Sequence, residues 1–393
     1  MSELELEITA LAAGGDGVAR DPSGRVTFVP RTAPGDRVRV KLVEEKKSFA
    51  RGELLEVMQP SPSRVEPACE AFLRGCGGCD WLHVARAAQL DAKQTLVVNA
   101  LRGIEVPIER IADPCTPLQW RRRARFHVEA GKLGLYAYGS QRLVPIAHCP
   151  QLEPELDAAI ALIASRTPPD GELSIVRGHA GAIALSTEHA WKGAALLLGK
   201  AGIVGALTGK DRHGEPSIEI EPGLFGGPRD FQQASAAGNA ALIERVRAEV
   251  GKGPGELVEL YAGAGNFTRG FVADGWSVFA SDVARSGKRV DGAAFSVATA
   301  EHAVTLRAKA DVVVLDPPRA GAAEAIDGIA KLAPRTIVYV SCDPATLARD
   351  LARLVASGYR VERAWPIDLM PQTSHVEVVA KLTLTRAGSP QAR

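Results

Sequence analysis

No apolar run in the sequence approaches the roughly 18 residues that a membrane-crossing helix needs, so a helical membrane protein is not expected. The opening stretch, MSELELEITA, is acidic and lacks the basic and apolar regions of a secretory leader. A cytoplasmic location is therefore the default expectation. There is no internal repeat, and the one biased segment is a short polar tail, RAGSPQAR. Net charge is only +1, so composition alone does not mark a nucleic-acid binder. Cysteine is sparse, six residues in all. In a cytoplasmic protein those six do not suggest a disulfide framework.

The 393 residues are 46% hydrophobic and 24% charged, which fits a globular chain of two or three domains. Residues 1 to about 60 read as short alternating strands separated by the turn signals GGDG, DPSG and APGD, and predict a small β-barrel. The Pro-rich SPSRVEP marks a boundary. A mixed, β-rich central region over 61–220 then includes one helical stretch, VARAAQLDAKQTLVVNALRGI. From 221 to 393, apolar strands alternate with helical pieces, the pattern of a doubly wound, mainly parallel sheet. In such sheets ligands gather beyond the carboxyl ends of the strands. The polar tails YAGAGN, SD, DPPR and SCDP are expected to meet there.

Four groups of residues carry chemistry. The turn ELYAGAGNF supplies Gly263 and Gly265, but Thr268 stands where a dinucleotide fingerprint has its third glycine. With Asp282 ending the next strand, as a ribose-binding carboxylate does, the turn suits an adenosyl ligand better than a pyrophosphate. The rigid DPPR, Asp316 to Arg319, suits pinning a flat base or the cofactor. Cys69-x6-Cys76-x2-Cys79, with a distant Cys149, offers four thiolates for an iron–sulfur cluster or a structural zinc. The three-plus-one spacing leans toward the cluster, and Cys115 is read as packing. Finally, Cys342 at a strand-to-helix turn and Glu377 in a later strand offer a nucleophile and a base. The helix beginning near Pro344 is expected to favour the Cys342 thiolate. QWRRRARFHV adds Arg121, Arg122, Arg123 and Arg125 among aromatics, either a solvated edge cluster or a phosphate-and-base surface.

Together these motifs resemble the RNA 5-methyluridine methyltransferases of the iron–sulfur type, over nearly the whole chain. The first ~58 residues resemble the TRAM domain, an RNA-binding barrel of the OB type. ELYAGAGNF, LDPPRAG, SCDPATLARDL and DLMPQTSHVE resemble the core motifs, and DFQQAS the segment preceding the core. The resemblance implies a Rossmann-like S-adenosylmethionine-dependent core joined to an OB-like barrel and a mixed α+β central domain. It implies Cys342 as nucleophile, Glu377 as base, and Gln233, Tyr261, Gly263, Gly265, Asn266, Asp282 and Asp316 around S-adenosyl-L-methionine. It further implies a 4Fe-4S cluster on Cys69, Cys76, Cys79 and Cys149, although the Cys69–Cys76 spacing is one residue longer than is commonest. Arg121, Arg123 and Arg125 would contact RNA, with 23S rRNA preferred over the tRNA T-loop and the chain acting as a monomer. Residues 283–302 lack the family's Asn-rich helix, so its adenine contacts are not expected. Two other functions stay open on the residues alone: an amino- or ring-nitrogen methyltransferase using DPPR, and a non-catalytic iron–sulfur RNA-binding or redox-sensing protein.

Overall fold

A computed structural model describes residues 3–284 and 290–385. The N-terminal six-stranded sheet runs Glu3–Glu7, Arg37–Glu45, Phe49–Gln59, Val26–Val29, Gly17–Arg20, Ala10–Leu11 in spatial order. It wraps round Leu6, Ile8, Ala19, Val29, Val38 and Val40, the inward half of each alternation. The central seven-stranded sheet has Arg123–Glu129 near its middle, between Gly171–Arg177 and Lys132–Tyr136. The arginine-rich strand is therefore internal to its sheet and not an edge. Its Phe126 and Val128 face the core.

The C-terminal sheet has seven strands in the order Ala293–Val297, Ser277–Asp282, Glu256–Leu260, Val312–Leu315, Thr336–Ser341, Glu377–Leu384, Tyr359–Ile367. The first five are parallel, and Glu377–Leu384 is antiparallel to both neighbours. Strand order reverses at Glu256–Leu260, which sets a ligand crevice beyond its carboxyl end. The sequence reads IDLMPQTSHVEVVAKLTL as one strand; the structure divides it. A strand ends at Ile367, residues 368–376 form a loop, and Glu377 opens the next strand. Pro371 supplies no backbone donor for a ladder, and Gln372 is left-handed with φ 66°, both incompatible with a continuous strand.

The helix Arg86–Ala100 lies in the region expected to be central, yet it packs on the C-terminal sheet. Val97 and Leu101 share a core with Val258, Leu315 and Tyr339. Farther along, Ile108 and Ala112 bridge to Ala364 and Ile367. Gln89, Lys93, Val97 and Leu101 are all buried and recur every four residues, one face of the helix. Among the described residues no helix is long and apolar enough to cross a membrane.

Candidate active site

The Glu256–Leu260 strand runs into the Gly-rich turn, where Tyr261, Gly263 and Gly265 all have positive φ, at 60°, 55° and 93°. Space beside Gly263 is open, since an added Cβ would meet nothing within 4 Å. Its N–H donates to Asp282 Oδ2 at 2.9 Å, so the carboxylate at the end of the neighbouring strand braces the turn. Asn266 is committed elsewhere: its amide pairs reciprocally with Asn239, at 2.8 and 3.0 Å, locking the turn to the Ala236–Val250 helix. Gln233 lies on the segment leading to that helix, its carbonyl accepting from Arg122 Nε at 3.1 Å. Of the shortened 283–302 segment, residues 285–289 lie outside the described residues. Glycine freedom, open space beside Gly263 and a braced carboxylate suit an adenosyl ligand.

Cys342 and Glu377 meet through strand register. The antiparallel ladder runs Val340↔Val379, then Ser341↔Val378, so the next step sets Cys342 opposite Glu377. Asp316 follows Leu315, which pairs with Tyr339 one strand away. Glu377 is 4% exposed. Burial, and then the adjacent Asp316, raise its carboxyl well above the usual range. Burial likewise pushes Asp316 to about 7, and two carboxyls this close do not both ionise readily.

The expected thiolate is not favoured. Burial pushes the Cys342 thiol up to about 11, with Glu377 adding and Arg319 opposing. The helix Pro344–Ala356 does not counter this, because Asp343 caps it. The Asp343 carboxylate accepts from Ala345 N and Thr346 N at 3.0 and 2.9 Å. The first-turn N–H groups that would stabilise a thiolate are already engaged. Two neighbours were not singled out from sequence, Arg319 and His375, although both lie inside quoted motifs. Arg319 Nη2 lies 2.7 Å from His375 Nε2, and burial together with Arg319 lowers the imidazole to about 4. The ring is neutral and can accept from the guanidinium.

Cys69, Cys76, Cys79 and Cys149 line one cavity, together with Arg121 and Gln151. Among the described residues no group of three or more His, Cys, Asp or Glu side chains is placed to hold a metal ion. Arg121, expected at an RNA surface, instead lines this cavity. Its Nε is buried without a hydrogen-bond partner, as is Gln151 Nε2. Strand alternation explains the remaining arginines only in part. Arg122 is buried and ion-paired to Glu221 at 2.7 Å. Arg123 donates to Gln232 O and lies against Phe231, while Arg125 stays exposed beside Glu172. Phe231 is 75% exposed, and an aromatic left bare beside the Gln233 segment was visible in the sequence as DFQQ.

The C-terminal strand order and the braced Gly-rich turn define an S-adenosylmethionine-dependent methyltransferase core. Residues 1–55 match the TRAM domain, and residues 303–385 match the family described as tRNA (Uracil-5-)-methyltransferase. The chain is 34% identical to a 23S rRNA (uracil(1939)-C(5))-methyltransferase of Chromohalobacter salexigens, over 96% of this chain and 89% of that one. It is 33% identical to the enzyme of the same description from Edwardsiella ictaluri, over 96% and 95%. A tRNA (uracil-54, C5)-methyltransferase of Pyrococcus abyssi, solved with S-adenosyl-L-homocysteine, superposes with a TM-score of 0.76 at 21% identity, covering 97% of this chain and all of that one. That likeness establishes a shared fold. With identities above 30% over nearly its full length, the chain belongs to the RNA (uracil-C5)-methyltransferases.

Proposed function

We propose that the protein methylates C5 of a uridine in 23S rRNA, with Cys342 as nucleophile and Glu377 as base. The observation that carries this reading is the register that sets Cys342 opposite Glu377 with Asp316 one strand away. The choice of rRNA over tRNA rests on the 23S rRNA descriptions of the relatives above 30% identity; the tRNA-directed neighbour is 21% identical.

Uracil C5 is a weak nucleophile. Addition of the Cys342 sulfur at C6 makes C5 enolate-like, and S-adenosylmethionine supplies the electrophilic methyl. Glu377 then takes the C5 proton, the C5–H electron pair restores the C5–C6 double bond, and the thiolate leaves. Because the resting thiol is protonated, its proton passes to the adjacent Asp316 carboxylate as the sulfur adds at C6, which leaves Glu377 free for the C5 proton. Arg319 is the cation nearest to hand for that step. Gln233, Tyr261, Gly263, Gly265, Asp282 and Asp316 surround the cofactor in this reading, with Asn266 holding the turn through Asn239. A base carboxyl as buried as Glu377 requires the target base to leave its stack.

The four cysteines suit a 4Fe-4S cluster better than zinc. All four are among the residues that line one cavity, and the unpartnered N–H groups of Arg121 and Gln151, which line it too, are donors that cluster sulfurs accept. Cys69, Cys76, Cys79 and Cys149 would hold it, as a structural element or near bound RNA, since methyl transfer consumes no electrons. Arg123, Arg125 and His127 alternate along one face of their strand. Tyr136 stacks on His127 at 4.0 Å and Phe231 lies against Arg123. Cations interleaved with aromatics suit looped or single-stranded RNA.

The test is transfer of labelled methyl to separate undermethylated rRNA and tRNA pools, followed by mapping of the modified nucleotide. Label in a 23S rRNA uridine is expected. Label confined to tRNA would overturn the substrate choice. Methylation by Cys342→Ala would overturn the mechanism.

A further inference from the structure

Asp80 directly follows Cys79, and it is bonded not to its own sheet but to the loop before Glu377. Its Oδ2 accepts from Ser374 N at 2.8 Å and from Ser374 Oγ at 2.9 Å. The backbone N–H groups of Asp80 and Trp81 both donate to Gln372 O, at 2.9 and 3.0 Å. Four hydrogen bonds thus join residues 80–81 to residues 372–374, two of them accepted by a carboxylate and so among the stronger kind. Gln372 is left-handed, a conformation that persists only when its surroundings impose it. Gln89 completes that hold by exchanging bonds with the Gln372 side chain and backbone at 2.8 and 3.1 Å. Above Asp80 sits the Gly15 turn of the N-terminal sheet. A Cβ added to Gly15 would fall 2.8 Å from Asp80 Cβ, and Trp81 Nε1 donates to Gly15 O at 2.9 Å. The joint is closed over.

We propose that Asp80 is a positioning residue that fastens the loop carrying Glu377 to the cysteine loop, so that this joint sets the geometry of C5 proton removal. This rests on the assignment of Glu377 as base. Ser374 stands three residues before Glu377, and His375 between them lies against Arg319. A shift of Cys79 therefore pulls on Ser374 through Asp80, and Glu377 is the first residue of the strand that follows. Addition at C6 depends on Cys342, which sits on a different strand end, so the two halves of the reaction respond differently. Losing the joint slows the half in which the C5 proton passes to Glu377, the double bond re-forms and the sulfur leaves. Protein covalently held to RNA then accumulates.

The test uses the full-length protein with rRNA, S-adenosylmethionine and denaturing gels that retain the covalent adduct. Glu377→Gln serves as the reference for a blocked base. RNA carrying 5-fluorouridine, whose C5 substituent no base removes, reports addition and methyl transfer alone. Asp80→Ala is expected to slow turnover roughly ten- to hundredfold, the scale of a displaced catalytic group. It should build up adduct on uridine RNA while trapping 5-fluorouridine RNA at the native rate. Asp80→Asn, which keeps an acceptor for Ser374, should recover most of the loss. Ser374→Ala gives a milder form of the same defect. Tyr138→Phe, which cuts only the nearby bond to Asp16, should do none of this. Adduct with Glu377→Gln but none with Asp80→Ala or Ser374→Ala overturns the proposal. So does an equal loss on both RNAs, the mark of a merely structural role. No adduct with Glu377→Gln overturns the base assignment itself, and this proposal with it.

Discussion

The molecule places cysteines in two surroundings that differ in one respect. At both places burial raises the thiols: Cys342 to about 11, and Cys76, Cys79 and Cys149 upward as well. Around Cys342 the nearest ionisable neighbours are two carboxyls, with Arg319 opposing them. Around the four clustered cysteines the cavity presents Arg121 and Gln151 N–H groups without partners. A lone thiol among proton acceptors is built to gain and lose one proton during a reaction. Several thiols among unpartnered donors are the setting that the proposed cluster would need. Residue type alone does not separate the two; the neighbours do.

The comparison breaks most sharply by exchanging the sulfurs. Cys342→Ala should lose methyl transfer by at least roughly a thousandfold and, on the proposed cluster assignment, leave iron content and visible absorption unchanged. On the same assignment, Cys79→Ser is expected to be the variant that lacks iron. Labelled transfer and metal analysis on the same preparations check both. Reactivity sharpens it next. With its pKa near 11, Cys342 gains thiolate throughout the working range, so alkylation by iodoacetamide should climb about tenfold per pH unit from pH 7 to 10. Glu377→Gln removes the carboxylate that raises the thiol, and should move that rise to lower pH. Peptide mapping of the alkylated site gives the rates.

A smaller effect is expected on the strand proposed to face RNA. Arg125→Ala should raise KM for RNA a few-fold, leave kcat unchanged and flatten the salt dependence of binding by about one unit of slope. The smallest concerns stability. A carboxyl whose folded pKa lies above its unfolded value costs stability as pH climbs from the unfolded pKa toward the folded one. Glu377 and Asp316 are both raised. Glu377→Gln should therefore melt close to the native protein at pH 4 and a few degrees higher at pH 8, by calorimetry at both values.

The strand ends of the core were legible because apolar runs such as VVVL and IVYV stop at polar, Gly or Pro residues, which mark a carboxyl edge from sequence alone. The Cys342–Glu377 pairing was legible only as two motifs; their opposition depends on the antiparallel insertion of the last strand. The Asp343 cap was half legible. Asp-Pro announced the helix, but the use of its first N–H groups by the carboxylate needs coordinates. Arg121 misled because a run of arginines reads as surface, whereas this one lines a cavity. Lys93 was not legible as a buried group either. Within a helical pattern it looks solvent-facing, yet it is fully buried, its Nζ bonded to Asp368 at 2.6 Å and to Met370 O at 3.0 Å. Nothing within ten residues of Lys93 announces a partner so far along the chain.

That pair, 275 residues apart in sequence, has a consequence for biosynthesis. At about 5–20 residues per second of synthesis, Lys93 leaves the ribosome roughly 15 to 55 s before Asp368 does. Through that interval the ammonium has no counter-ion and no reason to leave water, so its helix waits undocked while the N-terminal sheet, complete within its first 59 residues, is free to form. The nascent chain can therefore acquire its N-terminal TRAM fold well before it acquires chemistry, and catalysis is switched on by the arrival of its last strands.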